Sequence, residues 1–71
     1  MSLRNHGYRD VLKVLGRKGF RPDRQRGSHI IMTHADGRYT TVPRHNPIKE
    51  TTLKSILDQA GITKEEFLLE L

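Results

Sequence analysis

Two runs of strand-forming residues, separated by an Asp-Gly pair, constrain the fold of this chain most strongly. The first run covers residues 28–33 and the second covers residues 38–42. Both are rich in β-branched or aromatic residues, which suit a pleated surface, and Pro43 ends the second run. Because an Asp-Gly pair between two such runs is a strong hairpin signal, the sequence predicts an antiparallel hairpin with a turn at residues 34–37.

The length of this turn decides which side chains share a face of the sheet. A loop of two residues and a loop of four residues give the same assignment of faces, because a strand has a side-chain period of two. In both cases one face is predicted to carry His29, Ile31, Thr33, Thr40 and Val42, and the other to carry Ser28, Ile30, Met32, Tyr39 and Thr41. Both faces contain apolar residues, so the pattern leaves open which face the helices cover.

A helical pattern precedes the hairpin. Apolar residues recur at the spacing i, i+3, i+4 and i+7, which places them on one face of a helix over residues 8–18. Gly19 follows at the position where a glycine commonly ends a helix. The stripe consists of Tyr8, Val11, Leu12 and Leu15.

Two helical patterns follow the hairpin, after a loop at residues 44–50. Thr51 or Thr52 is a candidate N-cap for the first of them, and Gly61 ends it. Thr63 and Glu66 then match a capping box, which predicts a short final helix. The residues expected to turn inward are Leu53, Ile56, Leu57 and Ala60 in the first helix, and Phe67, Leu68 and Leu71 in the second.

The order of these elements indicates the fold class. Residues 20–25 contain Pro22 and therefore predict an edge strand at best. The chain then reads as helix, three strands, helix and short helix, which is typical of an α+β fold with helices on one face of a small antiparallel sheet. We expect a single domain over residues 1–71, with residues 1–6 as a leader that carries no diagnostic pattern.

Charge is distributed unevenly along the chain. Residues 1–44 carry ten Lys/Arg and three Asp/Glu, whereas residues 45–71 carry three Lys and five Asp/Glu. With a pI near 10.1, the basic half indicates a surface that binds a polyanion such as nucleic acid. The alternative is a soluble surface that is basic without a specific partner.

Composition limits the class of protein. The chain has no cysteine, which excludes disulfides and thiolate metal sites, and no apolar run approaches the roughly 20 residues of a membrane span. We therefore expect a soluble, cytoplasmic protein. Because a core of this size supplies only about 3–5 kcal/mol, a homodimer or a protein partner could supplement it.

One basic segment combines a titratable imidazole with cationic and hydroxyl groups. It covers residues 24–29, and His29 is its candidate for proton transfer, because histidine titrates near neutral pH. Arg24, Arg26 and Arg44 can contact phosphates through bidentate hydrogen bonds. Together these groups predict chemistry on, or binding to, a polyanion, and they are close to the minimum needed to cleave a phosphodiester.

Other residues near His29 have both a functional and a structural interpretation. Gly27 can allow close approach of a ribose-phosphate or can simply serve a turn. Ser28 can orient a phosphate or can satisfy local backbone groups. His45 is a candidate second proton-transfer group or phosphate contact. His34 lies in the predicted turn and is expected to be exposed. The spacing of the histidines and the lack of a carboxylate pattern predict no metal site.

A set of motifs follows in order along the chain: Lys18-Gly19-Phe20, Arg26-Gly27-Ser28-His29, Gly37-Arg38, Thr41-Val42-Pro43-Arg44-His45, and residues 52–61 and 62–68. Together these motifs resemble the HicA toxin family, also called YcfA-like, of bacterial and archaeal toxin–antitoxin modules. The resemblance covers about residues 7–71. It implies a double-stranded-RNA-binding-domain-like fold, a ribonuclease that cleaves mRNA without the ribosome, and neutralisation by a HicB-type antitoxin. It also implies that His29 is the catalytic histidine.

The sequence supports three functions in this order of preference. The first is an endoribonuclease that acts through His29 without a metal or other cofactor. The second is a non-catalytic domain that binds an RNA backbone by shape and charge. The third is a protein-interaction module that uses the apolar residues on the uncovered face of the sheet.

Overall fold

The computed structural model describes residues 2–71 and contains six elements in the predicted order. This confirms the α+β fold with a three-stranded antiparallel sheet, whose strand order is β1-β2-β3. No helix within residues 2–71 is both long enough and apolar enough to cross a membrane. The elements are α1 (Tyr8–Arg17), β1 (Phe20–Arg26), β2 (His29–His34), β3 (Tyr39–Pro43), α2 (Glu50–Ala60) and α3 (Lys64–Leu69).

The turn between β2 and β3 differs from the prediction. The His34 N–H donates to the Arg38 carbonyl at 2.9 Å, and the Gly37 N–H donates to the His34 carbonyl at 2.9 Å. The loop therefore has three residues, 35–37. Gly37 has a φ of 97°, which suits the left-handed residue that closes three-residue hairpin loops.

This odd loop length changes the assignment of faces. Ile30 pairs with Val42 and Met32 pairs with Thr40, so these four side chains lie on one face. The predicted assignment of Thr40 and Val42 to the face of His29 is therefore wrong, and so is the assignment of Tyr39 and Thr41 to the face of Ile30. A change of one residue in loop length moves every side chain of β3 to the other face.

The corrected register identifies the face that the helices cover. Met32, Thr40 and Val42 are buried, and they belong to the core that α1 and α2 complete. The hydroxyl of Thr40 donates to Gln59 Oε1 of α2 at 2.7 Å, which satisfies the one buried polar side chain on this face. The buried apolar core residues of the three helices are Val11, Val14, Leu15, Leu53, Ile56, Leu57, Ala60 and Phe67.

The ends of the last two helices agree only in part with the sequence. Helix α2 begins at Glu50, and its N-cap residue Lys49 makes no side-chain capping hydrogen bond. The prediction of a cap at Thr51 or Thr52 is therefore wrong, because both lie inside the first turn. The capping box of α3 is confirmed. The Thr63 N–H donates to Glu66 Oε1 at 2.9 Å, and the Glu66 N–H donates to Thr63 Oγ1 at 3.1 Å.

The inward residues of α3 were predicted correctly except for the last one. Phe67 is buried and Leu68 is partly buried. Leu71 is 45% exposed, so its predicted inward position is wrong. The helix ends at Leu69, and Leu71 therefore has no continuing helix to hold it against the core.

The residues before α1 are packed against the rest of the domain. Leu3 is buried, with 4% of its surface exposed. The His6 carbonyl accepts a hydrogen bond from the Ile48 N–H at 2.9 Å. The His6 ring packs edge-on against the Phe67 ring, with 5.2 Å between the ring centroids. A segment without a diagnostic sequence pattern thus contributes to the core.

The β2–β3 loop is joined to α2 by polar contacts. Arg38 donates from Nε to Asp36 at 2.8 Å and from its guanidinium to the Ala60 carbonyl. His34 Nδ1 lies 3.0 Å from Asp36 Oδ1. The His34 ring packs edge-on against the Phe20 ring, with 5.1 Å between the ring centroids. The prediction that His34 is exposed is wrong, because this imidazole has a packing role.

We predict that Leu3→Ala destabilises the domain by about 2 kcal/mol or more, because truncation of a buried leucine removes apolar contacts and leaves a cavity. The matched control is Leu69→Ala, since Leu69 is 83% exposed and should change stability by less than about 0.5 kcal/mol. Urea unfolding followed by circular dichroism measures both. Equal stabilities of the two variants would show that the segment before α1 is not part of the core.

Candidate functional site

The face of the sheet turned away from the helices, called the outer face below, carries three cross-strand rows of side chains. Residues that pair directly across antiparallel strands lie on the same face of the sheet. The row nearest the β1–β2 turn contains the predicted catalytic histidine. The three rows are Arg26, His29 and Pro43, then Arg24, Ile31 and Thr41, and then Arg21, Thr33 and Tyr39.

A β-bulge brings all three arginines of β1 onto the outer face. Pro22 pairs with Met32 and Arg24 pairs with Ile31, so Asp23 is the extra residue. Without it, the alternation of a strand would place Arg21 on the opposite face from Arg24 and Arg26. Bulges of this kind re-aim side chains and are over-represented near active sites.

His29 is the first residue of β2, and its side chain is exposed to solvent. It pairs with Arg26 on one side and with Pro43 on the other. The ring is therefore accessible from solvent, and it shares a cross-strand row with Arg26. A buried imidazole would have been incompatible with the predicted role.

Gly27 and Ser28 form the two-residue turn between β1 and β2, since Arg26 pairs with His29. Gly27 has a φ of 57° and Ser28 has no positive φ, a combination typical of a type II′ hairpin turn with glycine at its first central position. A Cβ at Gly27 would meet no atom within 4 Å. The glycine is thus required by the backbone of the turn rather than by crowding within the domain.

The structure separates two of the predicted site residues from His29. The Arg44 N–H donates to the Ser28 carbonyl at 2.7 Å, which continues the β2–β3 ladder by one residue pair beyond His29. By the alternation of the strands, Ser28 and Arg44 point to the helix side of the sheet. There they line a shallow concavity together with Tyr8, Gly27 and Asn46.

Tyr8 lies between two cationic groups in this concavity. Arg9 Nε donates to the Tyr8 hydroxyl at 3.4 Å, and Arg44 Cζ lies 5.5 Å from the centroid of the Tyr8 ring. The hydrogen bond from Arg9, and then the nearby guanidinium of Arg44, lower the pKa of Tyr8 below its ordinary value. A pair of guanidinium groups that stabilises a phenolate can also stabilise a phosphate oxygen.

His45 remains at the same end of the sheet as His29. The His45 N–H donates to the Pro43 carbonyl at 2.9 Å, and the His45 carbonyl accepts from the Tyr8 N–H at 3.2 Å. This tight turn fixes the backbone directly after the residue that pairs with His29. The His45 side chain is exposed.

The predicted site is therefore divided between two surfaces that meet at the Gly27–Ser28 turn. The outer face holds His29, Arg24 and Arg26, and the concavity on the helix side holds Ser28 and Arg44. Two tyrosines were missed as site candidates: Tyr8, which the sequence assigns to a core stripe, and Tyr39, which the register error placed on the wrong face. No group of three His, Asp or Glu side chains in residues 2–71 is arranged to hold a metal ion.

The model of the family described as "HicA toxin of bacterial toxin-antitoxin" matches residues 8–62 of the 71-residue chain. The chain belongs to the HicA toxin family. This match confirms the resemblance drawn from the motifs. The protein is a HicA-family toxin of a toxin–antitoxin module. Membership of such a module implies that its partner is an antitoxin. A search of curated proteins found no match. The family match includes α1, the whole sheet and α2 of this HicA domain.

We predict that Arg9→Gln raises the pKa of the Tyr8 phenol towards its ordinary value, and that Arg44→Gln raises it by a smaller amount. Both changes remove a cation that favours the phenolate. Since the chain has two tyrosines, the titration is followed by tyrosinate absorbance in a Tyr39→Phe background. Lys13→Gln on the exposed side of α1 is the control. A rise of the same size in this control would contradict a local effect at Tyr8.

Proposed function

We propose that this HicA-family chain is an endoribonuclease that cleaves mRNA and that His29 transfers the proton in the reaction. The observation that carries the proposal is the exposed position of His29 on the outer face, in one row with Arg26 and beside the row of Arg24. RNA supplies its own nucleophile, the ribose 2′-hydroxyl. The protein then needs a proton acceptor, a proton donor and cations for the developing charge.

The proposed reaction is an internal transfer. A general base removes the proton of the 2′-hydroxyl, and the 2′-oxygen forms a bond to phosphorus while the bond to the 5′-oxygen breaks. The leaving 5′-oxygen takes a proton, which gives a 2′,3′-cyclic phosphate and a 5′-hydroxyl. His29 serves as one of the two proton-transfer groups. Arg26 and Arg24 stabilise the negative charge on the pentavalent phosphorus centre.

A second group for proton transfer or phosphate contact is His45. Its backbone is fixed just after β3, two residues beyond Pro43, which pairs with His29. Arg44 and Ser28, on the helix side of the same sheet end, support binding of the RNA backbone beyond the cleaved bond. Gly27 supports the site through the turn that joins the two surfaces.

We further propose that the partner of this toxin is a HicB-type antitoxin and that the toxin acts in the cytoplasm, where mRNA is the substrate. An antitoxin that neutralises the proposed nuclease must block access of RNA to His29. The outer face has the character of such a surface, because it combines partly buried Ile31 with exposed arginines of β1.

We predict that the parent protein cleaves single-stranded RNA in the presence of EDTA and that His29→Ala lowers the rate by about 10²-fold or more, the contribution typical of a general acid or base. His45→Ala, measured in parallel, is expected to give a smaller decrease. Gel analysis of end-labelled RNA measures the rates, and circular dichroism verifies that each variant is folded.

The outcomes of this assay separate nuclease from binder. Cleavage that is lost in the His29 variant supports the enzyme. Binding of RNA without cleavage by the parent would contradict the nuclease and leave a non-catalytic RNA-binding module. Cleavage that His29→Ala leaves unchanged would assign the proton transfer to a different residue.

We also predict that RNA affinity decreases steeply with salt, because phosphate contacts release counterions. Arg24→Ala should weaken binding of all RNA sequences alike and reduce the slope of log K against log salt by about 1. Lys64→Ala, in the acidic half of the chain, is the matched control and should leave the slope unchanged. Filter binding over a salt series measures both, and an equal effect of the two substitutions would contradict a role of the outer face.

A further inference from the structure

The outer face carries a large aromatic side chain that is mostly exposed to solvent. Tyr39 is the first residue of β3 and is 66% exposed. It pairs with Thr33 of β2, two rows away from His29. A large aromatic side chain exposed on a surface that carries a proposed site is a candidate for ligand contact.

Tyr39 forms one wall of a concavity on the outer face. The floor consists of Ile31, Thr33 and Thr41, and Arg24 lies at the opposite side. The floor is thus made of short or apolar side chains, over which a flat base can lie. The remaining residues that line the concavity are Asp23, His34, Gly37 and Arg38.

The charges along this concavity favour an anionic strand. Arg21, Arg24 and Arg26 follow β1 on the outer face, one in each row. Among the ion pairs formed by residues 2–71, none involves these three arginines. Asp23 is the carboxylate in the same region, so three cations face one anion. Arginines that lack an internal partner are free to bind phosphates.

We propose that Tyr39 is a stacking platform for one base of single-stranded RNA and that the strand runs along the outer face from His29 to Tyr39, with its phosphates on the arginines of β1. The proposal rests on the proposed function, because it extends the same site. At a rise of about 3.3 Å per residue, the four steps along β2 from His29 to Thr33, which pairs with Tyr39, span about 13 Å. The stacked base therefore belongs to a nucleotide other than the one that is cleaved.

The arrangement matches the general way in which proteins hold single strands. Unpaired bases stack on aromatic side chains of an open sheet, while a cationic groove follows the backbone. Every base has a flat face, so a tyrosine platform alone gives affinity with little sequence preference. Tyr39 thus sets where RNA lies on the sheet and increases the occupancy of the site at His29.

The experiment combines a protein variant with a substrate change. Tyr39→Thr keeps a strand-forming residue but removes the ring, and Tyr39→Phe keeps the ring without the hydroxyl. Leu69→Ala removes an exposed apolar side chain from α3 and is the matched control. Kd is measured by fluorescence anisotropy with an RNA that carries 2′-O-methyl groups and cannot be cleaved, and KM and kcat are measured with the unmodified RNA.

We expect Tyr39→Thr to raise Kd and KM by about 5- to 100-fold, the loss that corresponds to one base–aromatic stack, with little change in kcat. Tyr39→Phe and Leu69→Ala should behave like the parent. In the parent, an abasic site placed in turn at each nucleotide should weaken binding most at one position away from the cleaved bond. In Tyr39→Thr, the abasic site at that position should have no further effect.

The results distinguish this proposal from the proposed function. If the parent cleaves RNA and Tyr39→Thr has the KM of Leu69→Ala, the stacking platform is overturned and the nuclease stands. If the parent does not cleave but Tyr39→Thr still removes the abasic effect at one position, the platform stands without the nuclease. If the variant loses only its complex with the antitoxin, the surface belongs to a protein partner and the proposal is overturned. Abasic scanning of the parent tests the platform even if Tyr39→Thr does not fold.

Discussion

The register of the three-stranded sheet is the constraint on which the rest of this structure depends. Two hairpin loops set it, and each contains a glycine at positive φ, Gly27 in the first and Gly37 in the second. With a side-chain period of two, a loop longer or shorter by one residue would exchange the faces of a whole strand. The observed register places Met32, Thr40 and Val42 against the helices and leaves His29 on the open face.

The same constraint explains how a small basic domain can present the proposed site on an open face of its sheet. Packing against α1 and α2 uses one face of the sheet, so the side chains of the other face contribute less to the core and are available for a ligand. The bulge at Asp23 adds Arg24 and Arg26 to the face that already carries Arg21. A row of arginines thus lies beside the proposed proton-transfer residue, and the guanidinium groups at Tyr8 extend the cationic surface around the end of the sheet.

The sequence was sufficient to predict the elements and the family because these depend on local signals. Helical periodicity, the Asp-Gly pair and the Thr63 capping box each act within a few residues, and all three were confirmed. The face assignment of β3 depends on loop length. A two-residue type I′ turn would need a positive φ at both Asp36 and Gly37, whereas only Gly37 of this pair has one. The residue types of Asp36-Gly37 do not fix this choice of backbone conformation.

The sequence names the residues of the candidate site but does not show that they are divided between two surfaces. The Arg-Gly-Ser-His motif places four candidate site residues side by side in sequence, yet consecutive residues of a strand point to opposite faces. Ser28 and Arg44 therefore lie on the helix side, away from His29. The bulge at Asp23 has no sequence signal, because the edge strand β1 is exposed beyond Phe20 and shows no alternation to interrupt.

The central claim is that RNA binds to the outer face of the sheet, with His29 at the cleaved phosphate. The most direct test is the change in backbone amide chemical shifts when a non-cleavable single-stranded RNA is added to the isotope-labelled protein. The account predicts the largest changes along β1 and β2 and at Tyr39 and Thr41, with small changes at Lys13 and Arg17 of α1. Changes concentrated on α1 and α2, with β2 unaffected, would contradict it.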